Sequence, residues 1–260
     1  LATISNRHGE PVEIALSIGA DAIAEVEAQP VTHDRERLRA ILFEARAFFE
    51  LNASMHEAAR VDAEAALNLA EATSDRESTL DAELTLARID TLTGHPEAGL
   101  ARGLRAARDA RDAGFEAVGV TGYRNVAMAA ARVMDYDAAQ IALREGLRYA
   151  DAIEQSHCRQ MMATTSALLA WADGRWDEAD RTAQQELVER GCRRGVLGSL
   201  DVLGFSAMAR GDTAKARRWL DESLEAGRRT TEVGLILAPL WGLAEADLVA
   251  GAPRAAAARC

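Results

Sequence analysis

The residues that most often carry chemistry are scattered in this chain. Histidines stand at 8, 33, 56, 95 and 157, and cysteines at 158, 192 and 260. His157 and Cys158 are adjacent, so on a helix they point in different directions. Neither has a second ligand at the spacing a tetrahedral zinc site needs. His56 and His95 fall in turns, where exposed histidines are ordinary. Carboxylates are abundant, as in Asp177, Glu178 and Asp180, but at helical spacing with arginines three or four residues away they read as solvated faces. Ser199 and Ser206 have no histidine near them in sequence. No acid, base and nucleophile come together, so the sequence points to a non-catalytic protein with no cofactor and no metal. Four tryptophans remain. Trp176 lies in a turn and Trp219 on the apolar face of a helix, both as packing residues; Trp171 and Trp241 lie on helices of another kind, described below.

Charge and composition narrow the classes further. The 260 residues carry 41 Asp and Glu against 30 Lys and Arg, a net charge of -11, and Lys215 is the only lysine. A nucleic-acid surface needs a basic excess to displace counterions from phosphate, so direct nucleic-acid binding by this segment is not expected. The chain is 48% hydrophobic, mostly Ala and Leu, which favours a folded, helical protein. No uncharged apolar run is long enough for a membrane span. Val233 to Ala250 comes nearest, but it contains Pro239, Glu245 and Asp247. The isolated cysteines suit a reducing, cytoplasmic setting.

The elements that must position these residues are written in a repeat. Gly174-Arg-Trp-Asp-Glu-Ala179, Gly211-Asp-Thr-Ala-Lys-Ala216 and Gly251-Ala-Pro-Arg-Ala-Ala256 share a Gly five residues before an Ala. Weaker copies begin at Ala53, Gly94 and Met134. The first members fall at 53, 94, 134, 174, 211 and 251, in steps of 41, 40, 40, 37 and 40. Gly9-Glu-Pro11 looks like one more copy. Gly ends one helix in a left-handed conformation, and Pro two residues on suits the first turn of the next. Each phrase is therefore a helix–turn–helix corner.

A second row confirms the frame. Seven residues before the turn stand Ala87, Ala127, Ala167, Gly204 and Ala244, preceded by Leu86, Val126, Ser166, Leu203 and Leu243. The first unit fits after a slip of one, with Ala45. The second helices carry an apolar row at Ala66, Ala107, Leu147, Leu187 and Leu224, so one face of each is buried. The expected fold is all-α: a right-handed α-solenoid of antiparallel helix pairs. Its units fall near 1–30, 34–73, 74–113, 115–154, 155–191, 193–229 and 231–260 in a single domain, and the array looks cut through at both ends. Ser74-Asp-Arg-Glu77 has capping-box form. Pro30 lies in a connector, and Pro239 should kink or delay its helix.

Leu203, Gly204, Gly211 and Ala216, with Gly174, Trp176 and Ala179, resemble the tetratricopeptide consensus, in a unit longer than that family's thirty-four residues. The Ala/Arg richness and Trp171-Ala-Asp-Gly-Arg-Trp-Asp-Glu-Ala179 resemble the helical arrays of MalT-like, ATP-binding LuxR-family transcription regulators. This chain has neither their phosphate-binding loop nor their DNA-binding helix pair. The resemblance implies that first helices line a concave surface. Carried over position by position, it places Arg46, Asp81, Arg88, Thr121, Arg124, Asn125 and Met128 there from the early units. From the later units it places Met161, Thr164, Leu168, Trp171, Asp201, Phe205, Met208, Trp241 and Glu245. The expected binding set is Arg88, Arg124, Asn125, Met128, Met161, Leu168, Trp171, Asp201, Phe205 and Trp241: an Arg/Asn zone, then an aromatic zone. Such a groove would take a peptide, protein or small-molecule effector. That suits a sensing module of a bacterial multidomain signalling ATPase or transcription regulator, or a scaffold for protein assembly; homo-oligomers could form through the solenoid ends.

Overall fold

The computed structural model describes residues 12–189, 192–229 and 234–259; Gly9-Glu-Pro11, His8 and Cys260 lie outside them. The described residues form thirteen helices and no strand. They fall into two compact units, residues 1–153 and 154–260. Unit 1 holds α1 (Val12–Glu27), α2 (His33–Asn52), α3 (His56–Ala72), α4 (Arg76–Leu92), α5 (Pro96–Asp112), α6 (Glu116–Arg132) and α7 (Tyr136–Ala152). Unit 2 holds α8 (Ser156–Ala172), α9 (Trp176–Glu189), α10 (Arg193–Ala209), α11 (Thr213–Arg228), α12 (Gly234–Val249) and α13 (Pro253–Arg259). Each unit is a stretch of α-solenoid. Helices adjacent in sequence pack as antiparallel pairs. The first helices α2, α4 and α6 also pack side by side, as do α8, α10 and α12.

The corners correct the expected frame by one residue at its start. Left-handed residues stand at Ser54, Gly94, Met134, Gly174, Gly211 and Gly251, so the first corner is at Ser54 and not Ala53. In each, the following residue donates its N–H to the carbonyl five before it, from Met55 to Glu50 (2.9 Å) through to Ala252 to Asp247 (2.9 Å). This bond closes the helix end as a Schellman turn. The same turn recurs between pairs, at Ser74 and Gly114, with Asp75 donating to Ala70 and Phe115 to Ala110. Ser74 is therefore the end of α3 and not the cap of α4. The cap is Asp75, whose carboxylate accepts from the Ser78 amide.

With Ser54 as origin the small-residue row becomes Ala47, Ala87, Ala127, Ala167, Gly204 and Ala244, all buried, and Ala47 replaces Ala45. Five residues after the corner stand Ala59, Gly99, Ala139, Ala179, Ala216 and Ala256, also buried. These two rows face each other within a pair and let the helices approach closely. Unit 1 accordingly builds a cluster from Ala47, Leu51, Ala59, Ala63, Leu86 and Ile89. Unit 2 repeats it with Ala167, Ala179, Ala183 and Leu203 in the matching places. Arg46 takes the place that Leu86 or Leu203 fills elsewhere. It is satisfied by Asp62 of α3, with Nη2 at 2.7 Å from Oδ1, so the structure turns Arg46 into the pair and away from the inner face.

A second device appears in both units. Asp90 receives Arg60 at 2.7 Å and Arg102 at 3.8 Å. Asp247 receives Arg217 and Arg259, each at 2.6 Å. The three members keep the same offsets from their corners, so each triad ties a first helix to the second helices on either side of it. The second-helix rows differ slightly from expectation. Ala66, Ala107 and Leu224 are buried, while Leu147 and Leu187 are half-buried. Helix α12 continues through Pro239 to Val249.

Candidate functional site

Counting back from each corner picks out the equivalent residues of the first helices, which form an inner stripe within each unit. Ten residues before the corner stand Glu44, Leu84 and Arg124 in unit 1, and Thr164, Asp201 and Trp241 in unit 2. One helical turn on, six before the corner, stand Phe48, Arg88 and Met128, then Leu168, Phe205 and Glu245. The stripe arises because residues three to four apart share a helix face.

In unit 1 the inner face is polar. Thr85 Oγ1 of α4 donates to Glu44 Oε1 of α2 at 2.9 Å. Asp81, one turn before Thr85, has no hydrogen bond or ion pair among the described residues. Burial pushes the Glu44 carboxyl up to about 8, helped by the negative charge of Asp81 and opposed by Thr85. Burial, then Glu77, pushes Asp81 up to about 6, and Arg124 opposes this. Both side chains are densely surrounded yet keep some accessible surface, as groups on the floor of a concavity do.

The expected Arg/Asn zone lies beside this pair, and its members are held. Arg88 Nη2 donates to Asn52 Oδ1 at 3.0 Å. Arg124 donates to Asn125 Oδ1 through Nε at 3.2 Å and Nη2 at 2.9 Å. Arg88 and Asn125 also line a crevice with Thr91, Gly99 and Gly103 that has room for about one water molecule. Met128 is half-buried. Glu44 is the residue that the sequence reading left out. With Ala45 in the small-residue row it falls eight before the corner, off the stripe; counted from Ser54 it aligns with Arg124.

In unit 2 the inner face is aromatic. Trp171 of α8, Phe205 of α10 and Trp241 of α12 form a ladder, with ring centroids 5.4 Å apart at the first step and 5.5 Å at the second. Phe205 is its buried centre, packed with Leu220, Leu224 and Leu243. Trp241 is 56% exposed, although its ring meets Phe205 at an interplanar angle of 59°. Trp171 is half-buried, and its Nε1 is enclosed without a hydrogen-bond partner. Asp201 lies one turn before Phe205. Its Oδ1 is also enclosed and partnerless, and burial pushes the carboxyl up to about 7 against the hydrogen bond from Ser223. Met161 is buried and Leu168 half-buried, both part of the packing of α8. Thus the structure brings Trp171, Phe205, Trp241 and Asp201 together. Arg88, Arg124 and Asn125 form a separate group in unit 1.

Among the described residues no group of three or more His, Cys, Asp or Glu could hold a metal ion, and no helix is long and apolar enough to cross a membrane. Cys158 and Cys192 are buried; Cys192 caps α10, its Sγ accepting from the Gly195 amide.

The fold defines a class: a tetratricopeptide-like helical array. No family model and no curated protein matches the chain. Solved structures match it at low identity. A Rap protein in complex with competence and sporulation factor superposes with a TM-score of 0.64 at 14% identity, over 92% of this chain and 73% of that one. BtubC (BKLC) from P. vanneervenii gives 0.61 at 17%, over 85% and 91%. A signal-transduction ATPase with numerous domains and a tetratricopeptide-repeat sensor, from Pyrococcus horikoshii, gives 0.60 at 15%, over 92% of this chain and 36% of that one.

Proposed function

We propose that this chain is a non-catalytic recognition module that binds a peptide or protein segment on the inner faces of its first helices. The observation that carries this reading is the ladder Trp171–Phe205–Trp241. An isolated exposed tryptophan is unremarkable, but Trp241 is held against a buried ring, tilted 59° to it, and keeps more than half of its area in solvent. A fixed aromatic that keeps exposed area is a ready anchor for an apolar side chain, because little entropy is lost on binding. The likeness in fold to a Rap protein bound to a signalling factor supports a peptide as ligand. The likeness to the sensor of a multidomain ATPase supports a place in a signalling ATPase or transcription regulator, where occupancy of the array would be the signal.

The scaffold reading draws on a different observation. Helix α12 leaves Leu237, Trp241 and Leu248 more than half exposed along one side. A protein partner lying over α12 would bury all three, whereas a short peptide needs only Trp241.

The test is selection of displayed random peptides against the immobilised chain, followed by affinity measurements on variants. Selected peptides should bind Trp241→Ala or Arg124→Ala at least about tenfold more weakly than the parent, the order of a single anchor contact. Unchanged affinity in both variants sinks the assignment. If Leu237→Ser and Leu248→Ser also weaken binding, the protein-partner reading gains.

A further inference from the structure

We propose that the inner face of unit 1 holds a cation subsite, in which a guanidinium or ammonium group of a bound peptide seats against the carboxyls of Glu44 and Asp81. The inference rests on the reading of the inner faces as a recognition surface and names what one part of it recognises.

Three observations point to a ligand and not to a structural ion pair. First, Glu44 and Asp81 come from neighbouring first helices and share one neutral hydrogen-bond donor, Thr85, which serves only Glu44 Oε1. Secondly, Asp81 is half-buried and, among the described residues, has no hydrogen bond or ion pair of its own. A buried carboxyl is normally paired, because an unpaired charge there is expensive. Thirdly, Glu44 and Asp81 both keep accessible surface, so a ligand can reach them.

The surrounding charges fit a cation and exclude the obvious competitor inside the chain. Glu77 adds a third negative charge beside Asp81. Arg124 acts on Asp81 only through space, and two of its donors are committed to Asn125. Arg88 is tied to Asn52. A divalent metal fits poorly, since calcium takes six to eight oxygens and the pair offers few. A planar, multidonor guanidinium matches two carboxyls from adjacent helices better.

Protonation gives the subsite a signature. Near neutral pH the pair is short of its full charge, because burial and mutual repulsion favour the protonated acids. A seated cation favours the ionised form, so binding releases protons and tightens as pH rises. A role in packing alone has no such linkage.

The probe is N-acetyl-arginine methylamide, with N-acetyl-citrulline methylamide as its neutral isostere. Wild-type chain is titrated with each while the side-chain carboxyl carbons of Glu44 and Asp81 are followed by NMR. Glu44→Gln and Asp81→Asn provide the assignments. The arginine compound should shift both carbons saturably, lower their titration midpoints and bind more tightly at pH 8 than at pH 6. The citrulline compound should do neither. The double variant E44Q/D81N, which keeps an acceptor for Thr85, should bind the arginine compound at least fivefold more weakly while its circular dichroism is unchanged. Equal binding by the double variant, or by citrulline, overturns the subsite, as does saturation by calcium chloride without any response to arginine. The two proposals fail separately. Peptides that depend on Trp241 while arginine ignores Glu44 and Asp81 leave recognition standing and remove the subsite; the reverse pattern keeps the subsite and removes the anchor.

Discussion

Units 1 and 2 use one scaffold to present two unlike surfaces. Their packing rows match residue for residue: Ala47, Ala59, Ala63 and Leu86 in unit 1 answer Ala167, Ala179, Ala183 and Leu203 in unit 2. Their Arg–Asp–Arg triads match too. The inner stripe does not match. In unit 1 it sets Glu44, Arg88 and Arg124 among Phe48, Leu84 and Met128, with Asp81 one turn earlier; in unit 2 it sets Phe205 and Trp241 among Thr164, Leu168, Asp201 and Glu245, with Trp171 one turn later. The difference has a physical origin. Rows that face another helix set the distance of approach, and a methyl group more or less is felt there. Stripe positions such as Glu44, Arg124 and Trp241 keep accessible surface, where a change of size or charge disturbs less packing, although Leu84, Thr164 and Phe205 are buried. The small rows thus report the fold, and the stripe is where the two units differ.

The most severe way to break the matched part is to enlarge a glycine in it. Each unit has one glycine where the row otherwise holds alanine: Gly99 in unit 1 and Gly204 in unit 2. A Cβ on Gly99 would lie 2.5 Å from the Thr91 amide nitrogen and 2.6 Å from the Ala87 carbonyl oxygen. Backbone cannot yield as a side chain can, so Gly99→Ala should cost about 3 kcal/mol or more and lower Tm by roughly 10 °C. A Cβ on Gly204 would meet only the Leu220 side chain, at 2.5 Å from Cγ. Gly204→Ala should cost about half as much, since Leu220 can change rotamer. Thermal unfolding of the two variants gives the ranking. A larger loss for Gly204→Ala would mean that the helix pairs of unit 1 can part more easily than those of unit 2.

Next comes the centre of the ladder. Phe205 is 8% exposed and fills the space between Leu220, Leu224 and Leu243. Phe205→Ala should cost about 3 kcal/mol in urea unfolding, the usual range for a truncated core aromatic. It should also free Trp241 to move, visible as a loss of its fluorescence anisotropy. If Trp241 stays rigid without Phe205, the ladder is not what fixes the anchor.

These two experiments bear on how much could be read without coordinates. The forty-residue repeat was legible because Gly174, Gly211 and Gly251 mark corners chemically: only glycine takes the left-handed turn without strain. The corners at Ser54, Met134 and Ser74 were obscure for the same reason, since their residues take that conformation against preference. Fitting the first unit with Ala45 in the small-residue row put its corner two residues before Ser54, which moved Glu44 off the inner stripe and put Arg46 on it. Asp62 then could not be seen as the partner of Arg46. The aromatic zone was legible because the unit 2 corners are glycines and its frame is unambiguous. What sequence could not give is the depth of each ring. Phe205 and Trp241 lie on the same kind of helix, yet one is core and the other is mostly wet.

A smaller effect separates the units by pH. The unfolded chain ionises Glu44 near 4.5, whereas the fold holds it protonated up to about 8. Its contribution to stability is therefore complete below about pH 4.5 and is lost as pH rises through 8. Asp201, raised to about 7, gives unit 2 a slope of the same sign. Glu44→Gln should flatten the curve and gain on the order of 2 kcal/mol over wild type at pH 9. Hydrogen exchange at pH 6 and 9 assigns the gain. Protection should rise across α2 and α4 in Glu44→Gln, and across α10 and α11 in Asp201→Asn. A gain spread evenly over both units would show that neither carboxyl acts locally.

The smallest effect on stability is expected at Trp241, and it is the most informative about function. Its ring leaves 56% of its area in water, so truncation uncovers little that was buried. Trp241→Ala should lower stability by less than about 1 kcal/mol, well below the loss at Phe205, the next ring of the same ladder. Peptide affinity should fall in the opposite proportion, with the exposed ring carrying the binding and the buried ring carrying the fold. A residue kept only for packing would lose stability and affinity together. If Trp241→Ala unfolds unit 2 as readily as Phe205→Ala does, then the ladder is simply core, and the recognition surface of unit 2 must be sought elsewhere on α8 and α10.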